Sequence, residues 1–188
     1  FQHSSDSRIF TFDKGQFQAW GKVGFGIRAN DHMDSVYNNY GVRYTRLYCD
    51  GKLVFSSDVN NIPVSCNRMV NSWGDYDHFL HTKIWFMKSF IEPGNTLPIL
   101  RAGADRGIIN FNQQRDYHLR YVVSDAFGNQ TVKEFTVHGE PQAIPSVAKP
   151  EGGVPLYCKK DNRINADGVR LNIQKGLLAK DGWLLMRT

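Results

Sequence analysis

No apolar run in the 188 residues approaches the roughly 20 that a helix needs to cross a bilayer, so a helical transmembrane segment is excluded. Cysteine is scarce, with only Cys49, Cys66 and Cys158, and no CxxC occurs. A zinc ribbon and a thioredoxin-like site are therefore not indicated. A Cys49–Cys66 disulfide would need an oxidising compartment, and the odd count without a framework favours buried free thiols. Concentrated positive charge is missing too. The net charge of +5 comes from 23 Lys and Arg against 18 Asp and Glu, scattered along the chain, and the longest basic knot is Lys159-Lys160 with Arg163. A nucleic-acid partner would want clustering on one element, so none is expected, whereas a polyanionic wall or membrane surface remains compatible.

Catalytic and metal-binding signatures are equally sparse. No Ser or Cys stands in a recognisable nucleophile turn with a His and an orienting carboxylate. Gly24-Phe-Gly26 lacks the third glycine of a dinucleotide loop and runs on into strand-like residues. His78-Phe-Leu-His81 has no Glu to make a zincin pair, and two satisfied or solvent-facing histidines explain it better. Asp31-His-Met-Asp34, Asp75-x-Asp77 and Asp161-Asn162 fall short of a DxDxDG loop and read as turns. Asn129-Gln-Thr131 matches the glycosylation triplet, a pattern common by chance. Separation between paired carboxylates of a glycosidase is a three-dimensional fact that scattered Asp and Glu do not disclose. The expectation is that this chain holds no catalytic residue and no metal or cofactor of its own.

What the sequence does have is the material of sheets. An apolar share of 41% with 12 Phe, 8 Tyr and 4 Trp suits a globular β-rich protein and excludes a disordered one. Residues 117–139 carry the plainest hairpin. Leu119, Tyr121 and Val123 alternate with His118, Arg120 and Ser124, and Phe135 and Val137 answer against Glu134, Thr136 and His138. Between the arms, Asp125-Ala-Phe-Gly-Asn offers a carboxylate that can bond its own backbone and, in Gly128, the positive φ that a five-residue loop needs. Residues 41–57 form a second hairpin around Asp50-Gly51, a type I′ signal.

The remaining segments are shorter. Residues 8–13 predict a first strand. Residues 17–29 put Val23, Phe25, Ile27 and Ala29 on one face and Gly24 and Gly26 on the other, where glycines mark a bulge or a close backbone approach. Residues 35–40 read as an exposed loop, and Pro63 breaks the ladder. In residues 64–90 a helical reading of 75–89 competes with strands. The aromatics there form core in the simplest reading; as exposed sugar-stacking rings, Trp73 and Trp85 are the candidates. Short strands follow near 97–100 and 107–111.

Pro141, Pro145, Pro150 and the neighbouring glycines make residues 140–153 an extended linker. Beyond it, 154–188 is a β-rich extension or an incomplete second module, too short for a self-sufficient core. The expected fold class is all-β: an immunoglobulin-like antiparallel β-sandwich over residues 1–139, with that extension after it. The chain begins at Phe1 without an initiator Met or a basic-then-apolar leader, which reads as a processed product or a piece of a longer protein.

At WGKVGFGIRANDHMD, CDGKLVFSS, EPGNTLPIL, RGIINF and VVSDAFGNQTVKEFTVHG the chain resembles a β-sandwich region found downstream of the catalytic domain in lysostaphin-type zinc metallopeptidases of Gram-negative gut-type bacteria. The resemblance spans roughly residues 17–139, and GFGIRANDHMD and DAFGN are its most specific pieces. The family's zinc site uses HxxxD and HxH elements; neither spacing occurs among His3, His32, His78, His81, His118 and His138. The resemblance therefore implies a non-catalytic accessory region, with zinc held in a catalytic domain outside these residues. It also implies that this peptidase domain of the same polypeptide is the partner, peptidoglycan or another glycan the ligand, and the periplasm or cell envelope the location. An independent carbohydrate-binding or adhesion module is the alternative expectation.

Overall fold

Asp116–Ser124 and Gln130–Gly139 pair as the antiparallel hairpin that the alternation predicts, with Leu119 opposite Phe135 and Tyr117 opposite Val137. Its loop is closed by the Asp125 carboxylate, which accepts from the Phe127 and Asn129 amides at 2.8 and 2.9 Å, while Gly128 sits at φ +94°. In this computed structural model, which describes residues 2–3, 10–11, 16–32, 39–143, 149–166 and 168–186, that hairpin lies inside a mostly β first unit, 1–144.

The second hairpin, Tyr44–Cys49 with Lys52–Asp58, turns at Asp50 (φ +49°) and Gly51 (φ +77°), the two left-handed residues of a type I′ turn. Asp50 also fastens the two hairpins together. Its amide donates to the His118 carbonyl at 2.8 Å and its carboxylate accepts from the His118 amide at 2.9 Å and from Arg115 Nη2 at 2.8 Å. Flanking strands complete a six-stranded sheet in the order Leu100–Ala102, Lys52–Asp58, Tyr44–Cys49, Asp116–Ser124, Gln130–Gly139, Gln16–Ala19. Only the last pairing is parallel.

A period of two assigns the faces. Register brings Tyr117, Leu119, Tyr121, Val137, Leu47 and Phe55 to one side, where Leu47, Phe55, Leu119 and Val137 are essentially inaccessible. Burying each such side chain contributes about 1.5–3 kcal/mol. Short elements cover that side: the Gly21–Val23 ladder with Ile109–Phe111, the Gly26–Ile27 ladder with Met87–Lys88, and the helical turns Val64–Met69 and Val70–Trp73. Phe111 is fully buried and meets Tyr117 edge to face at 4.8 Å. Residues 17–29 are thus broken into three strands rather than one, although Val23, Phe25 and Ile27 do pack on the core as a set.

The contested 75–89 segment is helical and then extended. Asp75 caps the helix Tyr76–Thr82 by accepting from the His78 amide at 3.1 Å, and Lys83 ends it at φ +59°. Strand Met87–Lys88 follows. Gly24 answers the expectation of close approach: a Cβ there would stand 2.6 Å from the Phe90 ring. Of the first predicted strand only Phe10–Thr11, paired with Gln2–His3, lies among the described residues, and the 35–40 loop falls outside them except for Asn39 and Tyr40.

The second unit, residues 145–188, contains two ladders of its own, Val154–Leu156 with Gly182–Leu184 and Asn162–Ala166 with Val169–Ile173. Ile164 is its buried apolar side chain among the described residues.

Candidate functional site

On the far face of the six-stranded sheet Arg101, Arg120, Val132 and Glu134 are exposed, Arg46, Tyr48 and Ser56 half-buried and Val122 buried, and register arranges them in rows. Tyr48, Arg120 and Glu134 stand opposite one another across three strands; one row along come Arg101, Ser56, Arg46, Val122 and Val132. On the other side of the first row His118 faces Thr136. Tyr48, His118, Arg120, Glu134 and Thr136 border a shallow depression of about 560 Å³.

Polar and aromatic groups on this face are organised by stacking as well as by ion pairing. The Arg120 guanidinium lies 4.8 Å from the Tyr48 ring centre, and Arg46 and Arg43 lie 5.5 and 5.1 Å from that of Tyr44. Arg43 is also held by Asp58 at 2.6 Å, and Asp116 is held by His138 at 2.7 Å, so these acids are already engaged. Arg46, Arg101 and Arg120 have no acidic partner among the described residues, and Glu134, directly across from Arg120, does not close on it. Counting the paired groups as well, Arg43, Arg46, Arg101 and Arg120 stand against Asp58, Asp116 and Glu134, a small excess of positive charge. Each guanidinium keeps a planar fork of donors suited to carboxylate or phosphate. Tyrosine rings beside them offer flat apolar area with a polar rim.

Trp73 and Trp85, the two rings singled out from sequence, are not on this face. Trp73 is 6% exposed, belongs to the core cluster, and donates its indole N–H to the Lys88 carbonyl at 3.0 Å. Trp85 is half-buried, lying directly on Gly74 and edge-on to Phe79 at 5.5 Å. The structure does not bring them together as an exposed platform. A glycine immediately after Trp73, admitting another ring onto its backbone, was the sequence signal for dense packing.

The weaker candidates resolve into local structure. Asp161 accepts from the Lys175 amide at 2.9 Å, and Asn162 exchanges bonds with both backbone groups of Tyr157 at 2.7 and 2.8 Å. Asp75 caps its helix, and Asn129 donates to Asp125 Oδ2 at 2.6 Å within the hairpin loop. Among the described residues no group of three His, Cys, Asp or Glu is placed to hold a metal ion. Cys49 is a free thiol that burial, with Asp50 nearby, pushes up to about 11.

Sequence reasoning missed Arg46, Tyr48 and Arg120. Their outward facing follows from the alternation of each arm, but their meeting depends on which strands pair.

The fold and this face together define a mostly β module with an open basic and aromatic sheet surface. No protein-family model, curated protein or solved structure matches the chain.

Proposed function

We propose that this chain is the non-catalytic accessory region of a cell-envelope zinc metalloendopeptidase of the lysostaphin type, in the periplasm or at the envelope. Its role is to hold the catalytic domain of the same polypeptide against peptidoglycan, with the open sheet face as the wall-binding surface. The observation that carries this reading is the pairing of Arg120 with Tyr48 and of Arg46 with Tyr44 on that face. A glycan strand bearing short peptides presents sugar rings next to carboxylates, and rings beside guanidiniums complement both. The five stretches that resemble the accessory regions of that family support the same assignment.

The fold we assign within this reading is an immunoglobulin-like sandwich, with the six-stranded sheet as one layer and the short ladders and helical turns as the other. Two features support it. Paired hairpins at the centre of the sheet, with a further strand beyond them, match the order of a variable-type front sheet. Tyr117, at the start of its strand, accepts through its hydroxyl from the Gln113 amide at 3.2 Å, the bond of a tyrosine corner.

Co-sedimentation with purified peptidoglycan tests the proposal. The chain is expected to pellet with the wall in a saturable, salt-weakened manner, because exposed charges are screened. The double variant Arg46→Glu, Arg120→Glu should bind at least about tenfold more weakly, a loss of roughly 1.4 kcal/mol. Pelleting that is absent, or indifferent to the double variant, would sink the wall-binding role. The same face would serve an independent carbohydrate-binding module. An HxxxD and an HxH encoded upstream of Phe1 favour the peptidase; a gene beginning near Phe1 favours the independent module.

A further inference from the structure

A second concavity, of about 410 Å³, lies away from the open sheet face and has different chemistry. Three phenyl rings, Phe25, Phe86 and Phe90, line it together with Asp75, His78 and Lys88. Gly24 matters to its shape, since the Phe90 ring occupies the space a side chain there would take.

The polar groups have capacity left over. Asp75 Oδ1 accepts from the His78 amide at 3.1 Å as a helix cap, and no bond to Oδ2 is found among the described residues. Lys88 gives one of its three ammonium donors to Glu92 Oε1 at 3.0 Å. His78 stands edge-on to Phe86 at 5.1 Å, and its Nε2 is buried with no hydrogen-bond partner among the described residues.

From this combination we propose that the concavity is a binding site for a small zwitterion, a free α-amino acid with an apolar side chain. Its carboxylate is taken by the ammonium donors that Lys88 has left beyond Glu92, its ammonium by Asp75 Oδ2, and its side chain by the three phenyl rings. The volume admits an amino acid, and the donors Lys88 keeps beyond Glu92, beside the free Oδ2 of Asp75, suit a ligand carrying both charges. This site is independent of the wall-binding reading and uses none of its residues.

The test is a nuclear magnetic resonance titration of the whole chain, labelled with nitrogen-15, using leucine, leucinamide and N-acetyl-leucine. Leucine is expected to give saturable shifts at the Gly24 and Gly26 amides and at the His78 imidazole. Leucinamide, without the carboxylate, and N-acetyl-leucine, without the ammonium, should each bind about tenfold more weakly or worse. Asp75→Asn keeps a good helix cap and should weaken leucine binding while leaving N-acetyl-leucine binding unchanged. Lys88→Met should do the corresponding thing for leucinamide. No saturable shift at these residues with millimolar leucine overturns the proposal. So does equal binding of the three compounds, or leucine binding unaffected by both variants.

Discussion

Residues 1–144 bury a cluster of 12 large side chains beneath the sheet, whereas residues 145–188 bury Ile164 alone among their described apolar groups. What the second unit has in place of a core is hydrogen bonding from side chain to backbone. Asn162, 6% exposed, bonds both backbone groups of Tyr157 and the Lys160 carbonyl; Asp161 takes the Lys175 amide, and Asp181 takes the Cys158 amide at 2.8 Å. Leu177 remains 70% exposed and Val169 54%. The contrast follows from size: a piece this short has too much surface for its volume to gather apolar side chains, so its turns are fixed by polar groups instead. The two units should therefore fail for different reasons.

The largest expected effect comes from the core of the first unit. Phe55 is 1% exposed and touches neighbours on every side, so Phe55→Ala should cost about 3–5 kcal/mol through lost burial and the cavity left behind. The check is a urea titration followed by tryptophan fluorescence, in which the transition of the first unit moves to lower urea. A shift of a few tenths of a kcal/mol would mean that the cluster is not where its stability resides. Next in size is Asn162→Ala, which orphans two carbonyls and an amide around a buried position and should cost roughly 2–3 kcal/mol, mostly by desolvation without return. Hydrogen exchange should show protection lost across residues 154–184 and retained in Asp116–Ser124. Loss in both regions would break the comparison, because it would make the units one cooperative block.

Which parts were legible in sequence follows the range of the interactions. Asp50-Gly51 and Asp125-Ala-Phe-Gly-Asn declare their turns because the backbone conformations and the capping bonds are settled within five residues. Arm alternation likewise marks the buried face of the 117–139 hairpin. The 64–90 region was opaque because its apolar residues answer to neighbours far along the chain: Trp73 packs with Leu47 and Phe111 in one cluster, and Trp85 rests on Gly74. Aromatic content alone favours core for Trp73 and Trp85 and leaves exposed rings as the other reading; what decides between them is the second layer of short ladders, which no local pattern predicts. The open face was half legible. Arg46 and Tyr48 alternate with Thr45 and Leu47, yet that Tyr48 should face Arg120 is a matter of strand order, and strand order is not written in either arm.

The smallest effect tests whether polar fixing also operates inside the first unit, where it would be masked by the core. Asp125 is the place, because its loop is held as the turns of the second unit are, by a carboxylate on backbone amides. The Asn129 side chain, followed by the Asn129 and Phe127 amides, holds the Asp125 carboxyl below the usual carboxylate value. The ionised form is thus favoured by folding. Its contribution is complete above the unfolded value of about 3.9 and is lost as pH falls through the lower folded value. Phe127, 91% exposed at the loop tip, contributes no burial to compensate. Acidification below the ordinary carboxylate range should therefore release the Phe127 and Asn129 amides to exchange while Leu119 and Val137 stay protected. Asp125→Asn, which keeps an acceptor but cannot titrate, should abolish that pH dependence. If the loop amides open at the same pH as the core strands, the hairpin is held by its apolar face alone, and the polar mode of fixing belongs only to the second unit.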